Sequence, residues 1–243
     1  MPSEFLHALN ASNDASSTTS SPVSASPSAL IAQALVKVGA VRIMSEQPFV
    51  YTSGWASPVY VDTRLLMSDV ALRRKLIDIG ATQIAELVTR SGINAIVGAE
   101  SSGIAMAAWL ADRLDLPLLY LRKRAMGWGT AARLEGRLPA DARLLFIDDV
   151  TTDARSKIVG VSALRGTGAQ VEDCLVILDY AIYPKTQARL AEHSLNLHSL
   201  TNWRSLCDAL RASGTLSSDV MQNLAAFTED PVRWSVENGG VGV

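Results

Sequence analysis

The chain has 243 residues, of which 48% are hydrophobic and 19% are charged. At about 100–200 residues per domain, this length suits one domain with additions or two small ones, and it can bury a sizeable core. The apolar residues form no run of the roughly 18 positions that a membrane span needs. The formal net charge of -2 argues against general binding to nucleic acid, because such binding needs a basic surface.

Cysteine usage predicts the compartment. Cys174 and Cys207 are the two cysteines of the chain, too few for the disulfide framework of a small secreted domain. Neither has a second Cys or a His at metal-ligand spacing. The sequence therefore predicts a reducing, cytoplasmic location and no metal site built by these residues.

The first 28 residues of the chain differ in composition from the rest. Residues 12–28 are almost entirely Ser, Thr, Ala and Pro, a composition that cannot bury a core. We interpret residues 1–28 as a disordered tail, 29–230 as one domain and 231–243 as a flexible C-terminal tail. Residues 5–9 could instead be a helical peptide that docks on a partner, although a frayed terminus is the simpler interpretation.

From residue 29 onward, helical and strand patterns alternate, which is typical of a mostly parallel sheet covered by helices. Ser68 and Asp69 can cap a long helix that ends near Gly92. In chain order, the patterns predict a helix at 29–38, a helix from 70 to about 92, a strand at 95–97, a helix at 103–114, strands at 118–121 and 144–147, a helix through 158–164 and a strand at 171–178.

The most informative segment runs from residue 144 to residue 157. A buried strand leads directly into Asp148 and Asp149, and then into a polar loop that opens a helix. Ligands bind beyond the carboxyl ends of parallel strands, and a helix N-terminus attracts anions. The segment therefore predicts a phosphate site beside two acids, which suits a ribose phosphate or a Mg²⁺-bound polyphosphate. The alternative is that the two acids only cap a turn at the surface.

These residues resemble the signature of the type I phosphoribosyltransferases, in which a hydrophobic strand, two acids, a hydroxyl-rich loop and a helix follow one another. Within that family, the chain is similar to the orotate phosphoribosyltransferases over nearly its whole length from about residue 29. Three further stretches carry the resemblance: Thr52 to Tyr60 (TSGWASPVY), the turn from Gly98 to Ile104, and Leu121 to Gly136.

The resemblance implies a fold and a reaction. The fold is the α/β type I phosphoribosyltransferase fold, with a mostly parallel central sheet, flanking helices and a small N-terminal hood. The reaction transfers 5-phosphoribosyl from phosphoribosyl diphosphate to orotate and yields orotidine 5′-phosphate and pyrophosphate, with Mg²⁺ bound mainly through the diphosphate. The resemblance also implies a homodimer in which a loop at about 124–135 closes over the neighbouring subunit's site, with Gly127 and Gly129 as hinges.

The same resemblance assigns roles to residues. Asp148 and Asp149 would hold the ribose and favour its developing positive charge, while Arg122 and Lys123 would neutralise the pyrophosphate. These four are the expected catalytic residues. The expected phosphoribosyl diphosphate site comprises Arg122, Lys123, Asp148, Asp149, Val150, Thr151, Thr152, Asp153, Ala154, Arg155 and Ser156. The expected orotate site comprises Tyr60, Thr152 and Tyr180.

The chain also departs from the family pattern. Met126 stands where the loop usually has a lysine, Trp128 where many members have a histidine, and Ala154 where the phosphate loop normally has glycine. These departures keep a second hypothesis open, a catalytically attenuated paralogue that serves as a nucleotide-binding regulatory or partner protein. They also pose the question of whether another subunit supplies the missing lysine.

Overall fold

The computed structural model describes residues 25–44, 46–125 and 133–242. Its strands are β1 (Val41–Ile43), β2 (Phe49–Val50), β3 (Ala56–Ser57), β4 (Val59–Val61), β5 (Ala95–Ala99), β6 (Leu118–Leu121), β7 (Leu134–Glu135), β8 (Arg143–Ile147), β9 (Val150–Thr151), β10 (Gln170–Asp179) and β11 (Asn196–Asn202). Its α-helices are α1 (Pro27–Lys37), α2 (Val70–Ser91), α3 (Ser102–Leu114), α4 (Arg155–Arg165), α5 (Thr186–Glu192), α6 (Trp203–Ser213), α7 (Ser218–Glu229) and α8 (Pro231–Glu237). A 3₁₀ helix spans Thr63–Met67.

The central sheet has the strand order β11-β10-β8-β5-β6-β7, and β9 also pairs with β10. The pairs are parallel except for β6 with β7. Leu144 to Ile147 of β8 are all buried, as expected for a strand that helices cover on both faces. The expected α/β fold with a mostly parallel sheet is confirmed.

A small hood lies between α1 and α2 in the sequence. It consists of two antiparallel ribbons, β1 with β4 and β2 with β3, followed by the 3₁₀ helix. Its inner residues Trp55, Ala56 and Val59 are buried in the same core cluster as the sheet residues Ile147 and Leu178. The hood is therefore packed firmly on the sheet.

The predicted helix limits agree closely with the structure where a cap residue defines them. The side chain of Asp69 accepts a hydrogen bond from the Leu72 N–H at 3.0 Å, and Gly92 ends α2 at a φ of 61°, a conformation that favours glycine. The first helix, however, begins at Pro27 and is capped by Ser26. The predicted disordered segment therefore extends too far, and residues 1–24 lie outside the described residues.

The C-terminal segment differs from the predicted flexible tail. Residues 231–237 form α8, in which Trp234 and Ser235 are buried. The Ser235 hydroxyl accepts a hydrogen bond from the Ala56 N–H at 3.0 Å, and the Val241 N–H donates to the Gly54 carbonyl at 2.9 Å. The end of the described chain is thus part of the hood's support. None of the described helices is long and apolar enough to cross a membrane.

Candidate active site

A cleft of about 590 Å³ lies between the hood and the carboxyl ends of β5, β6 and β8. Its lining comprises Val50, Tyr51, Thr52, Ser53, Tyr60, Val61 and Arg64 from the hood side, Glu100, Ser101, Ser102 and Lys123 from the ends of β5 and β6, and Asp148, Asp149, Val150, Thr152, Asp153, Arg155, Ser156, Lys157 and Tyr180 from the ends of β8 and β10. Most of these side chains are polar, so the cleft suits a charged, hydroxyl-rich ligand.

The two acids at the end of β8 have different partners. The Asp148 carboxylate accepts a hydrogen bond from the ammonium of Lys157 at 2.5 Å, and Lys157 is only 4% exposed. Asp149 accepts from the Val150 N–H at 2.9 Å and from the Thr63 hydroxyl at 3.4 Å. Burial, together with the neighbouring Asp148 charge, raises the pKa of Asp149 above its usual value. A poorly solvated carboxylate of this kind interacts strongly with a cation that forms beside it.

Close packing at Gly103 places the start of α3 against these acids. A side-chain carbon at Gly103 would meet the Cα of Asp148 at 3.0 Å and would also collide with the Ile147 carbonyl oxygen. Only glycine therefore allows α3 to begin here, with Ser101 and Ser102 at the cleft. The N–H groups of this first turn point toward the cleft end of the helix, where anions are favoured.

The loop after the acids leads into α4 through a left-handed residue. Ala154 has a φ of 63° and is only 1% exposed. Because it is not glycine, this backbone costs about 1–2 kcal/mol. The turn lets α4 start at Arg155, so that the N-terminus of the helix lies at the cleft, which Arg155 and Ser156 line. Such an N-terminus is suited to a phosphate group.

Asp153 anchors this loop from below. Its buried carboxylate accepts hydrogen bonds from the indole N–H of Trp55 at 3.1 Å and from the Arg155 N–H at 3.2 Å. It also pairs with the side chains of Arg155 at 3.2 Å and Arg189 at 3.7 Å. One carboxylate thus joins the hood, the loop and α5.

Three tyrosines lie close together where the hood, with Tyr51 and Tyr60, meets the end of β10, with Tyr180. The Tyr51 hydroxyl donates to the Val59 carbonyl at 2.7 Å and lies 2.7 Å from the Tyr180 hydroxyl. Since each hydroxyl has one proton, Tyr180 donates to Tyr51. Burial raises the pKa of Tyr51 to about 12, so both remain protonated at neutral pH. Tyr60 lies beside them, with its ring centroid 6.5 Å from that of Tyr51.

Arg122 and Lys123 follow β6 but point to different places. Lys123 lines the cleft, and its backbone N–H donates to the Glu100 carboxylate at 2.7 Å. Arg122 instead pairs with Glu135 at 2.6 Å and donates to the Tyr120 hydroxyl at 3.2 Å. Its guanidinium does not line the cleft of its own chain among the described residues.

Most residues that the sequence nominated lie together in the structure. Three residues are exceptions because they do not line the cleft: Arg122, which pairs with Glu135, and Thr151 and Ala154, which are buried behind the loop. Tyr180 lines the cleft but is only 1% exposed. Sequence patterns did not predict roles in this site for Lys157, Arg64 or Trp55. Lys157 lies in the first turn of the helix that follows the two acids. That place in the sequence was the available signal for a role of Lys157. Met126, Trp128, Gly127 and Gly129 lie outside the described residues.

Comparison with known proteins agrees with this geometry. No protein-family model matches the chain. It is 35% identical over 212 residues to orotate phosphoribosyltransferase of Agrobacterium fabrum, covering 87% of this chain and 91% of that protein. It is 37% identical over 205 residues to orotate phosphoribosyltransferase of Cereibacter sphaeroides, covering 84% and 88%.

A solved structure shows the same relationship. The crystal structure of orotate phosphoribosyltransferase from Aeropyrum pernix superposes with a TM-score of 0.65 at 31% identity, covering 75% of this chain and 98% of that one. Sequence identity above 30% over nearly the full length of these relatives, together with the shared fold and an acid pair beside a helix N-terminus, leads to one conclusion. The chain belongs to the orotate phosphoribosyltransferase family.

Proposed function

We propose that this chain transfers the 5-phosphoribosyl group from phosphoribosyl diphosphate to orotate, forming orotidine 5′-phosphate and pyrophosphate in the cytoplasmic synthesis of pyrimidine nucleotides. The observation that carries the proposal is the cleft in which Asp148 and Asp149 face the N-terminus of α4. It offers carboxylates to a sugar and N–H groups to its phosphate, which is what a phosphoribosyl group requires.

The acids would act on the ribose. Breaking the anomeric C–O bond creates an oxocarbenium-like sugar, and a fixed carboxylate that is already desolvated stabilises this charge without reorganising. Asp149 is the stronger candidate, because Lys157 already neutralises Asp148 at 2.5 Å. Asp148 would mainly accept ribose hydroxyls and keep Asp149 in place through the Asp149 N–H, which donates to it at 3.0 Å.

The α4 N-terminus would bind the 5′-phosphate. Thr152, Arg155 and Ser156 line the cleft there and can add side-chain donors to those of the backbone. Val150, Thr151, Asp153 and Ala154 would contribute as the scaffold of this loop. Holding the phosphate fixes the ribose with respect to Asp149, and such positioning is a large part of catalysis when two substrates must meet.

The pyrophosphate would lie near Lys123 and the first turn of α3. Among the described residues, no group of three or more His, Cys, Asp or Glu side chains could hold a metal ion. Two carboxylates facing a diphosphate nevertheless fit Mg²⁺, which often binds one or two carboxylates and substrate phosphates. When bound through the diphosphate, Mg²⁺ would neutralise the leaving group.

The orotate ring would lie against the hood, beside Tyr60 and Thr152. Tyr180 would support this wall through its hydrogen bond to Tyr51, with little surface of its own to offer. Arg122 would act in a homodimer, since its guanidinium lies outside the cleft of its own chain among the described residues. Light scattering tests the dimer: a mass of 26.0 kDa at micromolar concentration, with full activity, would contradict it.

The reaction is tested by measuring orotate consumption with and without phosphoribosyl diphosphate and Mg²⁺. We expect consumption only when both are present, with stoichiometric pyrophosphate. The strained Ala154 in the phosphate loop is the described feature that favours the attenuated paralogue. That alternative predicts tight binding of orotidine 5′-phosphate without measurable turnover, so the same assay, paired with a titration of the nucleotide, separates the two.

A further inference from the structure

We propose that Arg64 binds the carboxylate of orotate and thereby selects this base over uncharged pyrimidines. The inference rests on the proposed function and deepens it. Tyr60, Thr152 and Tyr180, the residues expected to contact orotate, carry no positive charge, whereas orotate is an anion at neutral pH. A buried or half-buried carboxylate needs a charged partner or several strong hydrogen bonds, and the cleft is lined by cations that can provide the charged partner.

Three of the four cations that line the cleft belong to the sheet wall. Lys157 is 4% exposed and pairs with Asp148 at 2.5 Å. Arg155 lies in the phosphate loop, where it pairs with Asp153 at 3.2 Å. Lys123 follows β6, and its backbone N–H donates to Glu100. It lies on the side of the cleft that is expected to hold pyrophosphate. Arg64 is the remaining cation, and it is the one on the hood wall.

The Arg64 guanidinium is held in a fixed plane. Its Nε and Nη2 donate to the two Asp62 oxygens at 2.6 and 2.9 Å, and Nη2 also donates to the Tyr60 hydroxyl at 3.3 Å. Asp62 is itself mostly buried, whereas the Arg64 side chain is 49% exposed. Among the described residues, Nη1 makes no hydrogen bond. A preorganised arginine with unused donors can bind a carboxylate with little loss of side-chain entropy.

Arg64 also lies on the side of the cleft where the base must be. Thr63, its neighbour in the chain, donates a hydrogen bond to Asp149 at 3.4 Å, and Asp149 is the acid expected at the ribose. The base joins the ribose through N1, and the orotate carboxylate is on the adjacent ring carbon. Arg64 contacts Tyr60 and is next in the chain to Thr63, the hydrogen-bond partner of Asp149. Its guanidinium is therefore within reach of the orotate carboxylate.

Two nucleotides test the inference directly. Orotidine 5′-phosphate and uridine 5′-phosphate share the phosphate, the ribose and the pyrimidine ring, and they differ by the carboxylate. By calorimetry, we expect the unmodified protein to bind orotidine 5′-phosphate about 10- to 100-fold more tightly, the range for a charge-assisted hydrogen-bonded pair. In Arg64→Gln we expect the ratio to fall to about 3-fold or less, and in Arg64→Lys to an intermediate value.

Arg113→Gln is the matched control. Arg113 also pairs with an aspartate, Asp78, at 3.1 Å on the surface, and it does not line the cleft. Its substitution should leave the ratio unchanged. In kinetics, Arg64→Gln should raise the KM for orotate at least about 10-fold while the KM for phosphoribosyl diphosphate changes by less than about 2-fold.

Two results would overturn the inference: a wild-type protein that binds both nucleotides equally, or a folded Arg64→Gln protein that keeps the full preference. If Arg64→Gln does not fold, the wild-type ratio and Arg64→Lys decide, since a full preference in Arg64→Lys would contradict a role for the planar guanidinium. Failure of the proposed function looks different. It would appear as absence of orotate consumption by the wild-type protein, while the nucleotide ratio remains measurable.

Discussion

The two walls of the cleft are built by different kinds of contact. On the sheet wall, Asp148 and Lys157 pair across only nine positions in the sequence. Both residues belong to one strand-loop-helix unit. On the hood wall, the contacts that matter connect distant parts of the chain: Thr63 to Asp149 across 86 residues and Trp55 to Asp153 across 98. The reaction chemistry is therefore local in sequence, whereas the shape and selectivity of the cleft depend on how the hood packs.

A substitution of an acid on the sheet wall should lower turnover without lowering the stability of the protein. We expect Asp149→Asn to lower turnover about 10²–10³-fold, the range for removing one preorganised electrostatic group. The melting temperature should stay the same or rise, because the substitution removes a desolvated charge that lies beside Asp148. Steady-state kinetics and calorimetry check both parts. Intact activity with a melting temperature lowered by several degrees would contradict the assignment.

The stabilisation in Asp149→Asn should depend on pH in a defined direction. Because the pKa of Asp149 is raised in the folded protein, the folded state holds this proton at pH values where the unfolded chain has lost it. This carboxyl therefore reduces stability progressively as the pH rises above its unfolded pKa. The stability advantage of the variant should be near zero in acid and grow toward neutral pH, and urea titrations across that range measure it.

A substitution of Asp153, which links the two walls, should lower the stability of the protein. Asp153→Ala leaves the Trp55 indole and two guanidinium groups without their buried acceptor, and we expect unfolding free energy to fall by about 3 kcal/mol. Asp78→Ala is the control. The Asp78 pair with Arg113 is exposed at 63% and 61%, so its loss should cost no more than about 0.5 kcal/mol. Equal losses in the two variants would show that Asp153 does not anchor the loop.

The same comparison explains what the sequence could predict. The limits of α2 were predictable because Asp69 and Gly92 are local cap signals, and the strand β8 because a run of apolar residues is buried on both faces. The acid pair, the phosphate loop and the cavity cation Lys123 follow from their place after strands. Each of these depends on neighbours only a few residues away.

The hood contacts could not be predicted in this way. Nothing near Arg64 in the sequence shows that it faces the cleft, and nothing near Trp55 points to Asp153. Residues 231–243 were predicted to be a flexible tail, yet Trp234 is buried and the Val241 N–H donates to the Gly54 carbonyl. Such long-range pairs leave no trace in local periodicity or capping.

Met126→Lys tests whether the loop that follows β6 lacks a cation for the leaving pyrophosphate. Met126 lies outside the described residues, and the prediction rests on its place in the family pattern. A lysine there should raise turnover about 10-fold, because an added cation that binds the leaving pyrophosphate more strongly as charge develops lowers the barrier. The KM values should change less than turnover. Met126→Leu is the control, and unchanged or lower turnover in Met126→Lys would show that Met126 does not mark a missing cation.

The smallest expected effect separates strain from burial at two alanines with positive φ. Ala154 has a φ of 63° and Ala181 a φ of 53°. Ala154 is 1% exposed within the core cluster under the phosphate loop, whereas Ala181 is exposed. Replacing either with glycine relieves about 1–2 kcal/mol of backbone strain and costs about 0.5–1 kcal/mol through the freer unfolded chain.

At Ala154, loss of the buried methyl group costs a further amount of about 0.8 kcal/mol. The relieved strain, the freer unfolded chain and the lost burial therefore nearly cancel. We therefore expect Ala154→Gly to change the unfolding free energy by less than about 0.5 kcal/mol, while Ala181→Gly raises it by about 0.5–1 kcal/mol. Urea midpoints at equal slope measure the difference. If both variants gain equally, the Ala154 methyl group contributes nothing to packing under the loop, and the strain at this position is then a cost to stability that no buried contact offsets.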